Sequence, residues 1–340
     1  MSNRIKYIVL AIGFIVFSYL VYSYGVANIW QNLLRTGWWF LPVVFVWAAV
    51  YYCNAWAWFV ILRDHHPDIR FSTIYRLTIT AFSLNYVTPF LSLGGEPYRV
   101  AALSKTVDKH RGISSVILYN MIRWMAHFSF WLSAIVIALI TVTLAPAAVI
   151  SLVIIGCVLI LSIGFFVSRH KYGIFEALFS WMSRKRVLQR FLKKLDPHRA
   201  ALLSIDEQIK QLYQHQQKTF YTSIFFEYLS RIAASFEFFF ILKALGFAPT
   251  FMEAFYINAA TSFILNMLFF VPFELGTREG GLYFVMQSVG YAQGIGIFIS
   301  LVNRLRELVW TLIGMALMLK TEKQPSTASF IKMMEDEQKQ

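Results

Sequence analysis

The chain has 340 residues, of which 58% are hydrophobic, 17% are aromatic and only 14% are charged. Soluble proteins carry roughly 25% charged residues, so this composition excludes an ordinary soluble globular protein. The formal net charge is +13, but the basic residues concentrate between Arg169 and Lys218 and near the N-terminus. Cytoplasmic loops of membrane proteins carry this kind of excess. The sequence therefore predicts a polytopic membrane protein that binds no nucleic acid.

Apolar runs long enough for a membrane-spanning helix occur six times. A helix rises about 1.5 Å per residue, so about 20 apolar residues cover the hydrocarbon layer. Full spans are expected at 5–24, 38–62, 115–143, 147–168, 219–243 and 294–318. Between them, the basic segment 169–218 is expected to be cytoplasmic, partly helical and attracted to anionic lipid headgroups. Residues 321–340 are expected to form a polar cytoplasmic tail.

Two further apolar segments, 72–88 and 251–271, meet proline and glycine and then return over only a short stretch. The returns, 97–104 and 280–290, are too short to cross the bilayer. Broken backbone at membrane depth is tolerated only where protein or a watery cavity covers it, so both segments are predicted to be re-entrant helical hairpins. Two complete crossings within 251–290 remain open as an alternative. The expected tip residues are Asn85, Pro89, Gly94, Gly95, Asn266, Pro272 and Gly276.

The two hairpins resemble each other in sequence. The letters TAFSLN at 80–85 match TSFILN at 261–266, and PFLSLGGE at 89–96 matches PFELGTRE at 272–279. The first pair is offset by 181 positions and the second by 183, and Arg123 and Arg304 are again 181 positions apart. This pattern predicts one domain, 1–320, that consists of repeat 1, about 1–145, and repeat 2, about 146–320.

The distribution of basic residues predicts opposite orientations for the two repeats. With Arg4 and Lys6 in the cytoplasm, the first hairpin enters from the cytoplasm and the second from outside, and both termini are cytoplasmic. Inverted repeats with broken helices are typical of secondary transporters. The predicted fold is an all-α polytopic membrane protein with six full spans and two re-entrant hairpins in an inverted-topology repeat.

Charged residues inside the predicted spans point to a binding site. Each costs about 2.5–3.5 kcal/mol at the bilayer centre on insertion scales, so it needs a partner, water or a function. Guanidinium groups bind phosphate in a two-pronged geometry. We expect eight residues to bind substrate: Glu96, Arg99, Arg123, Glu227, Arg231, Arg278, Glu279 and Arg304. His127 and Glu307 are candidate proton carriers.

Structural roles for the same residues remain open. Glu227 and Arg231 are four positions apart and could form an intrahelical ion pair. Arg304 could pair with Glu279 or Glu307. Glu96 and Glu279 fall at helix starts, where negative charge is favourable by itself. His127 could be a hydrogen-bonded interior histidine. Both cysteines lie in apolar runs, and the sequence predicts no metal site, no cofactor and no catalytic residue.

The letters LGGEPYRVAALSK at 93–105 and PFELGTREGG at 272–281 resemble the flippase-like family related to the transmembrane region of lysylphosphatidylglycerol synthetases. The resemblance implies a protein of the bacterial inner membrane that moves aminoacylated phospholipids or polyprenyl-phosphate-linked lipids between leaflets. Gly94, Gly95, Glu96 and Arg99 match the first motif, and Pro272, Gly276 and Glu279 match the second. Members that synthesise the lipid carry a separate soluble domain; none follows Lys320, so we expect no synthetic activity.

One position departs from the family pattern. Family members commonly carry an acidic residue before the arginine that matches Arg123, whereas this chain has Ile122. Arg123 is therefore expected to be free to bind a phosphate or to pair with Glu96. The leading hypothesis is a lipid translocator without covalent chemistry. The alternatives are a membrane-embedded lipid or glycan transferase with Glu96 or Glu279 as general base, and a lipid-binding partner of a synthase that does not transport. The oligomeric state and energy source are not predicted.

Overall fold

The computed structural model describes residues 36–63, 66–87, 95–104, 107, 109–141, 146–169, 217–269, 271, 274 and 276–320, with nine isolated positions elsewhere. Within these residues the regular structure is helical and contains no strand. Several predicted features lie outside them: the span 5–24, the tip residues Pro89, Gly94 and Pro272, nearly all of the basic segment 169–218, and the tail 321–340.

Nine α-helices make up the described part of the chain. A short 3-10 turn, Gly37–Trp39, precedes the first of them. The helices are α1 (Phe40–Arg63), α2 (Phe71–Val87), α3 (Gly95–Leu103), α4 (Lys109–Thr141), α5 (Pro146–Arg169), α6 (Gln217–Ala244), α7 (Phe251–Met267), α8 (Thr277–Ser288) and α9 (Gln293–Lys320).

Five of these helices coincide with predicted spans. α1, α4, α5, α6 and α9 lie where the apolar runs 38–62, 115–143, 147–168, 219–243 and 294–318 were expected to be helical. The segments predicted as hairpins are also pairs of helices, α2 with α3 and α7 with α8, and each pair is in contact. By length and apolar composition alone, two described helical stretches qualify as spans, Gly37–Arg63 and Arg111–Ile140, and Val149–Phe165 is a shorter apolar helix.

Local sequence signals explain where several helices begin and end. α5 starts at Pro146, a position where the missing N–H is not needed. Thr250 caps α7, since its hydroxyl accepts from the Glu253 N–H at 3.2 Å while the Glu253 carboxylate accepts from the Thr250 N–H at 2.6 Å. Gly246, with φ of 83°, follows the last turn of α6, where a left-handed residue is favourable for glycine.

Helices α1 and α6 pack side by side and form the most extensive helix–helix contact in the described structure. α2 packs against α9, and α7 packs against both α6 and α4. Buried aromatic and aliphatic side chains fill these interfaces, among them Trp58 and Tyr119 in one cluster and Phe238 and Ile257 in another. α5 contacts α4 and exposes Ile154, Leu161 and Phe165, as expected for a surface that faces lipid.

The start of α3 lies directly against α2. The Gly95 N–H donates to the Asn85 side-chain oxygen at 2.7 Å. A Cβ atom at position 95 would collide with the Ala81 carbonyl oxygen, so only glycine allows this approach. Asn85 therefore accepts the first N–H of α3. The sequence had left open a purely structural role for Glu96 at this same helix start.

The second hairpin is built differently at its tip. The Gly276 N–H donates to the Glu279 carboxylate at 2.9 Å, so Glu279 caps α8. Asn266 instead donates to the Ser262 carbonyl oxygen of its own helix at 2.7 Å. Glu274 and Gly276 have positive φ values of 54° and 77°. The matching sequence letters of Asn85 and Asn266 thus correspond to different local contacts.

Candidate ligand site with two clusters of charged residues

Charged side chains inside the helical bundle gather into two clusters. The first-hairpin cluster lies between α3, α4 and α6 and consists of Glu96, Arg99, Arg123, Glu227 and Arg231. The second-hairpin cluster joins the tip of the second hairpin with α8, α9 and α6, and consists of Glu237, Glu274, Arg278, Glu279, Arg304, Arg306 and Glu307. The eight predicted substrate-binding residues divide between these two clusters, with five in the first and three in the second.

Glu227 links α6 to α4 within the first-hairpin cluster. Its side chain is fully buried, with one carboxylate oxygen accepting from the Tyr119 hydroxyl at 2.6 Å. Its other oxygen accepts from Arg231, one turn along α6, at 3.1 Å. The intrahelical ion pair left open by the sequence is therefore present, and a tyrosine from α4 completes it.

Arg99 lies on the opposite side of Tyr119. Its guanidinium carbon is 5.0 Å from the Tyr119 ring centroid and 5.0 Å from the Trp58 ring centroid, so two aromatic rings hold the cation. Glu96, three residues earlier in α3, approaches Arg99 to 3.5 Å without forming a hydrogen bond. Burial and these contacts fix the position of a guanidinium group whose hydrogen-bonding capacity is not used up.

Arg123 differs from the other arginines because it has no ion pair and no hydrogen bond with any residue that the structure describes. It lies near the middle of α4 and is half-buried. Tyr119, Glu227 and Glu96 act on it electrostatically. The predicted alternative in which Arg123 pairs with Glu96 is not observed, because Glu96 forms its ion pair with Arg99.

In the second-hairpin cluster every arginine is paired with a glutamate. Arg304 binds the Glu279 carboxylate at 2.9 and 3.1 Å, and Arg278 binds Glu307 at 2.8 Å and also contacts Glu274. Of the two partners left open for Arg304, Glu279 forms the ion pair. Glu307, a candidate proton carrier, therefore lies buried as an ion-pair partner of Arg278.

The most buried ion pair joins α9 to α6. Arg306 binds Glu237 with two parallel hydrogen bonds of 2.9 and 3.1 Å, and the Trp47 indole N–H donates to the same carboxylate at 2.7 Å. The Trp47 ring also lies 3.8 Å from the Arg306 guanidinium carbon. These contacts tie α1, α6 and α9 together and engage both Glu237 carboxylate oxygens. The Arg306 Nη1 atom has no hydrogen bond and lies 3.6 Å from the Glu307 carboxylate.

The two clusters differ in formal charge. Among the described residues, the first-hairpin cluster contains three arginines and two glutamates, an excess of one positive charge. The second-hairpin cluster contains three arginines and four glutamates in the described ranges, an excess of one negative charge. An anionic group is therefore favoured at the first-hairpin cluster, where Arg123 supplies the uncompensated charge.

His127 lies one turn beyond Arg123 on α4. Its ring is 5.8 Å from that of Trp124 and 5.3 Å from that of Trp131, and its Nδ1 atom is buried without a hydrogen bond. Arg123 and Arg231 are the charged groups that act on it. The sequence left open that His127 is an interior histidine held by hydrogen bonds, but its Nδ1 atom forms none.

Sequence reasoning missed Tyr119, Trp58 and Trp47 as parts of the site. Aromatic residues within apolar helices are usually core or lipid-facing, so their type alone carries no signal. A spacing signal was available for Tyr119, which precedes Arg123 by four positions and therefore lies on the same helical face. No group of metal-binding side chains occurs among the residues that the structure describes.

Comparison with known proteins gives a family but no close relative. No curated protein and no solved structure matches the chain. The family model described as the lysylphosphatidylglycerol synthase TM region matches residues 6–314, nearly the whole chain. With its helical bundle and buried charge clusters, the chain is a membrane protein that belongs to the lysylphosphatidylglycerol synthase transmembrane-region family.

Proposed function

We propose that this protein moves a phosphate-bearing lipid between the two leaflets of the bacterial inner membrane, and that the lipid phosphate binds at the first-hairpin cluster. The observation that carries the proposal is Arg123, a half-buried arginine in the middle of α4 without a described ion-pair partner. A charge at membrane depth is costly unless it is paired or functional, so an unpaired guanidinium favours an anionic ligand. Guanidinium groups are also the side chains best matched to phosphate.

Neighbouring contacts strengthen the choice of this site. Arg99 is buried between Trp58 and Tyr119 and keeps two nitrogen atoms without hydrogen bonds. Arg231 keeps its Nε atom without a hydrogen bond. A phosphate has several acceptor oxygens and could take these donors together. Arg278 and Arg304, which were also expected to bind substrate, are occupied by glutamates, so in this proposal they hold the second hairpin in place.

The arrangement of helices supports the proposed internal repeat. α2 and α7 have 17 residues each, and α1 and α6 end 181 positions apart, the same offset that relates Arg123 to Arg304. The contacts also exchange between repeats, because α2 packs on α9 while α7 packs on α4. In the proposal the two hairpins are re-entrant, the repeats have opposite orientations in the membrane, and both termini are cytoplasmic.

A translocator needs access to the site from both sides, and opposed hairpins supply a means for it. In the proposal each hairpin covers the site from one side of the membrane, so movement of one hairpin at a time would expose the site to alternate leaflets. A lipid-binding protein without transport would use the same arginines but would not require such movement. The two functions therefore differ in lipid movement and not in lipid binding.

A leaflet-exchange assay tests the proposal. Proteoliposomes that contain fluorescent phosphatidylglycerol are treated with a membrane-impermeant quencher, and the fraction of protected label is followed over time. The purified wild-type protein is expected to bring inner-leaflet label to the quencher, so that the protected fraction of label disappears. Arg123→Ala is expected to keep a protected fraction close to that of empty vesicles. Arg63→Ala is the matched control, since Arg63 is exposed at the end of α1 and lies over the Phe59 ring, away from both charge clusters.

The outcomes separate the hypotheses. If the wild type exchanges lipid no faster than empty vesicles but retains phosphatidylglycerol through purification, as measured by native mass spectrometry, the protein binds lipid without moving it. If Arg123→Ala exchanges lipid at the wild-type rate, the phosphate site is elsewhere. Covalent change of the lipid during incubation, seen as a new mass, would instead favour the transferase.

A further inference from the structure

Each hairpin has a glutamate on its return helix, α3 or α8, and an arginine on the helix that follows. Glu96 lies in the first turn of α3 and Glu279 in the first turn of α8, and the sequence repeat aligns the two. Arg123 in α4 and Arg304 in α9 are aligned in the same way. Both repeats therefore contain the same possible ion pair, once as Glu96 with Arg123 and once as Glu279 with Arg304.

Only one of these two ion pairs is formed in the structure. Two Arg304 nitrogen atoms donate to the Glu279 carboxylate at 2.9 and 3.1 Å. Glu96 instead approaches Arg99, at 3.5 Å, and acts on Arg123 only electrostatically. Arg123 has no ion pair with any residue that the structure describes. The first repeat thus has both components of the pair without the pair itself.

Arg99 gives Glu96 an alternative partner that the second hairpin lacks at the matching position. Arg99 follows Glu96 by three residues, whereas the residue that follows Glu279 by three is Leu282. Two aromatic rings hold the Arg99 guanidinium in place, so this partner has a fixed position. Glu96 can therefore leave Arg123 without becoming an unpaired charge inside the bundle.

The return helix of the second hairpin is held on α9 by further contacts. The Ser300 hydroxyl of α9 donates to the Glu279 carboxylate at 2.8 Å. A Cβ atom at Gly296 of α9 would lie 2.7 Å from the Leu282 carbonyl oxygen, so the two helices touch through their backbones. At the matching place α3 carries Arg99, which meets α4 through the Tyr119 ring. The second hairpin is therefore closed on its neighbouring helix, and the first is held by side chains.

We propose that the pairs Glu96 with Arg123 and Glu279 with Arg304 are two equivalent latches, each closing one hairpin, and that they close in turn. In the structure the second latch is closed and the first is open, with Glu96 held by Arg99. Closure of the first hairpin moves Glu96 from Arg99 to Arg123. This inference rests on the proposed function, in which Arg123 binds the lipid phosphate.

The first latch and the lipid phosphate compete for one side chain. Glu96 and a phosphate are both anions that bind a guanidinium group, so Arg123 holds one of them at a time. While phosphate occupies Arg123, the first hairpin stays open. When Glu96 takes its place and the second latch is open, the phosphate is released on the side of the second hairpin. Glu96 is thus a positioning residue that controls release of the lipid.

Distances between spin labels test the latches without any lipid assay. Labels are attached to pairs of cysteines in a background without Cys53 and Cys157, and double electron–electron resonance is recorded in nanodiscs. Four exposed positions take the labels, Ser104 with Arg63 for the first hairpin and Gln287 with Ala248 for the second.

The variants follow from the proposed exchange. Glu279→Gln opens the second latch, so the first-hairpin labels should gain a second distance, populated about tenfold or more above the wild type because a hydrogen bond to a charged group is lost. Adding Glu96→Gln should abolish that distance, since the first latch can no longer close. Adding Glu253→Gln is the matched control, because Glu253 caps α7 through Thr250 and lies in neither latch.

Lipid binding and lipid exchange give a second measurement on a variant that should fold. The Glu96 Oε2 atom that approaches Arg99 forms no hydrogen bond, so Glu96→Gln removes little from the structure. This variant is expected to bind phosphatidylglycerol at least as tightly as the wild type, by native mass spectrometry, since a competitor for Arg123 is gone. Its leaflet exchange is expected to fall about tenfold or more, because release requires the lost pair.

The outcomes separate the latches from the proposed function. A first-hairpin distance distribution that is the same in the wild type, Glu279→Gln and the double variant would overturn the latches, as would Glu96→Gln exchanging lipid at the wild-type rate. Weaker phosphatidylglycerol binding by Glu96→Gln would overturn the competition at Arg123. If the label distances change as expected but the wild type moves no lipid, the latches stand and the proposed function fails.

Discussion

Arginine side chains in the two clusters differ in whether they form an ion pair with a glutamate. Arg278, Arg304 and Arg306 all bind glutamates, while Arg123 has no such partner among the residues that the structure describes. Pairing explains how three buried arginines are tolerated in one helical bundle. It also means that residues of the same type perform two tasks, stabilisation in one cluster and ligand binding in the other.

The pair of Arg306 and Glu237 is expected to be the most sensitive to loss of one partner. Both side chains are 2–3% exposed, so Glu237→Ala leaves a buried arginine whose charge is poorly compensated. Its remaining partner is the Glu307 carboxylate at 3.6 Å, which Arg278 also binds. We expect this change to lower the free energy of unfolding by about 3–5 kcal/mol. Thermal unfolding in detergent measures it.

Replacement of both partners by apolar residues provides the control for that prediction. The double variant with Glu237→Leu and Arg306→Met should recover most of the loss, because no unpaired charge remains. A double variant less stable than Glu237→Ala alone would contradict the assignment of the effect to a poorly compensated charge.

Tyr119 is expected to contribute to stability through its hydroxyl. Tyr119→Phe removes the 2.6 Å hydrogen bond to fully buried Glu227, and we expect a loss of about 1–3 kcal/mol. Tyr228→Phe is a matched control, since its hydroxyl donates at 2.9 Å to the uncharged Ser133 hydroxyl and should cost less. Equal shifts in melting temperature for the two variants would show that the charge of Glu227 is unimportant.

At the scale of helices, the sequence predicted positions well and contacts poorly. Long apolar runs specify a helix by their length and composition, so five described helices lie where spans were expected. The sequence left Glu279 and Glu307 as candidate partners of Arg304 without choosing between them, and it named no partner for Arg278 or Arg306. Glu307 and Glu237 approach them through packing between different helices, and no local spacing rule reports such contacts.

The hairpin tips show the same limit. Repeated letters predicted equivalent roles for Asn85 and Asn266, yet Asn85 caps α3 whereas Asn266 bonds within α7. Glu279 caps α8 instead. The sequence repeat predicts that the two hairpins are related elements, but each tip has its own set of hydrogen bonds.

Close packing of the first hairpin depends on Gly95. A Cβ atom at this position would overlap the Ala81 carbonyl oxygen, so Gly95→Ala should force α3 away from α2. We expect a destabilisation of about 1–3 kcal/mol in thermal unfolding, together with reduced lipid exchange because Glu96 and Arg99 move with α3.

Gly280→Ala is the matched control for this element. Gly280 lies in α8, and a Cβ atom there would meet nothing within 4 Å. Because alanine favours helix more than glycine does, this variant should be as stable as the wild type or more stable by up to about 1 kcal/mol. Similar destabilisation by both substitutions would contradict the packing explanation.

The whole molecule is proposed to combine two repeats of opposite orientation, and this can be tested by labelling. In a background without Cys53 and Cys157, a single cysteine replaces Asp68 before the first hairpin or Ala292 after the second, both exposed positions. A membrane-impermeant maleimide should label Asp68→Cys from the cytoplasm and Ala292→Cys from outside. Reaction of both from one side would disprove the inverted topology.

The central claim is that the lipid phosphate binds at Arg123 and not at the arginines of the second hairpin. A cryo-electron microscopy structure of the protein in nanodiscs with phosphatidylglycerol, carrying a bound antibody fragment for alignment, tests this most directly. We predict phosphate density within hydrogen-bonding distance of the Arg123 guanidinium, with the Arg304 and Glu279 pair intact. Phosphate density against Arg304 or Arg278, with Arg123 unoccupied, would contradict the account.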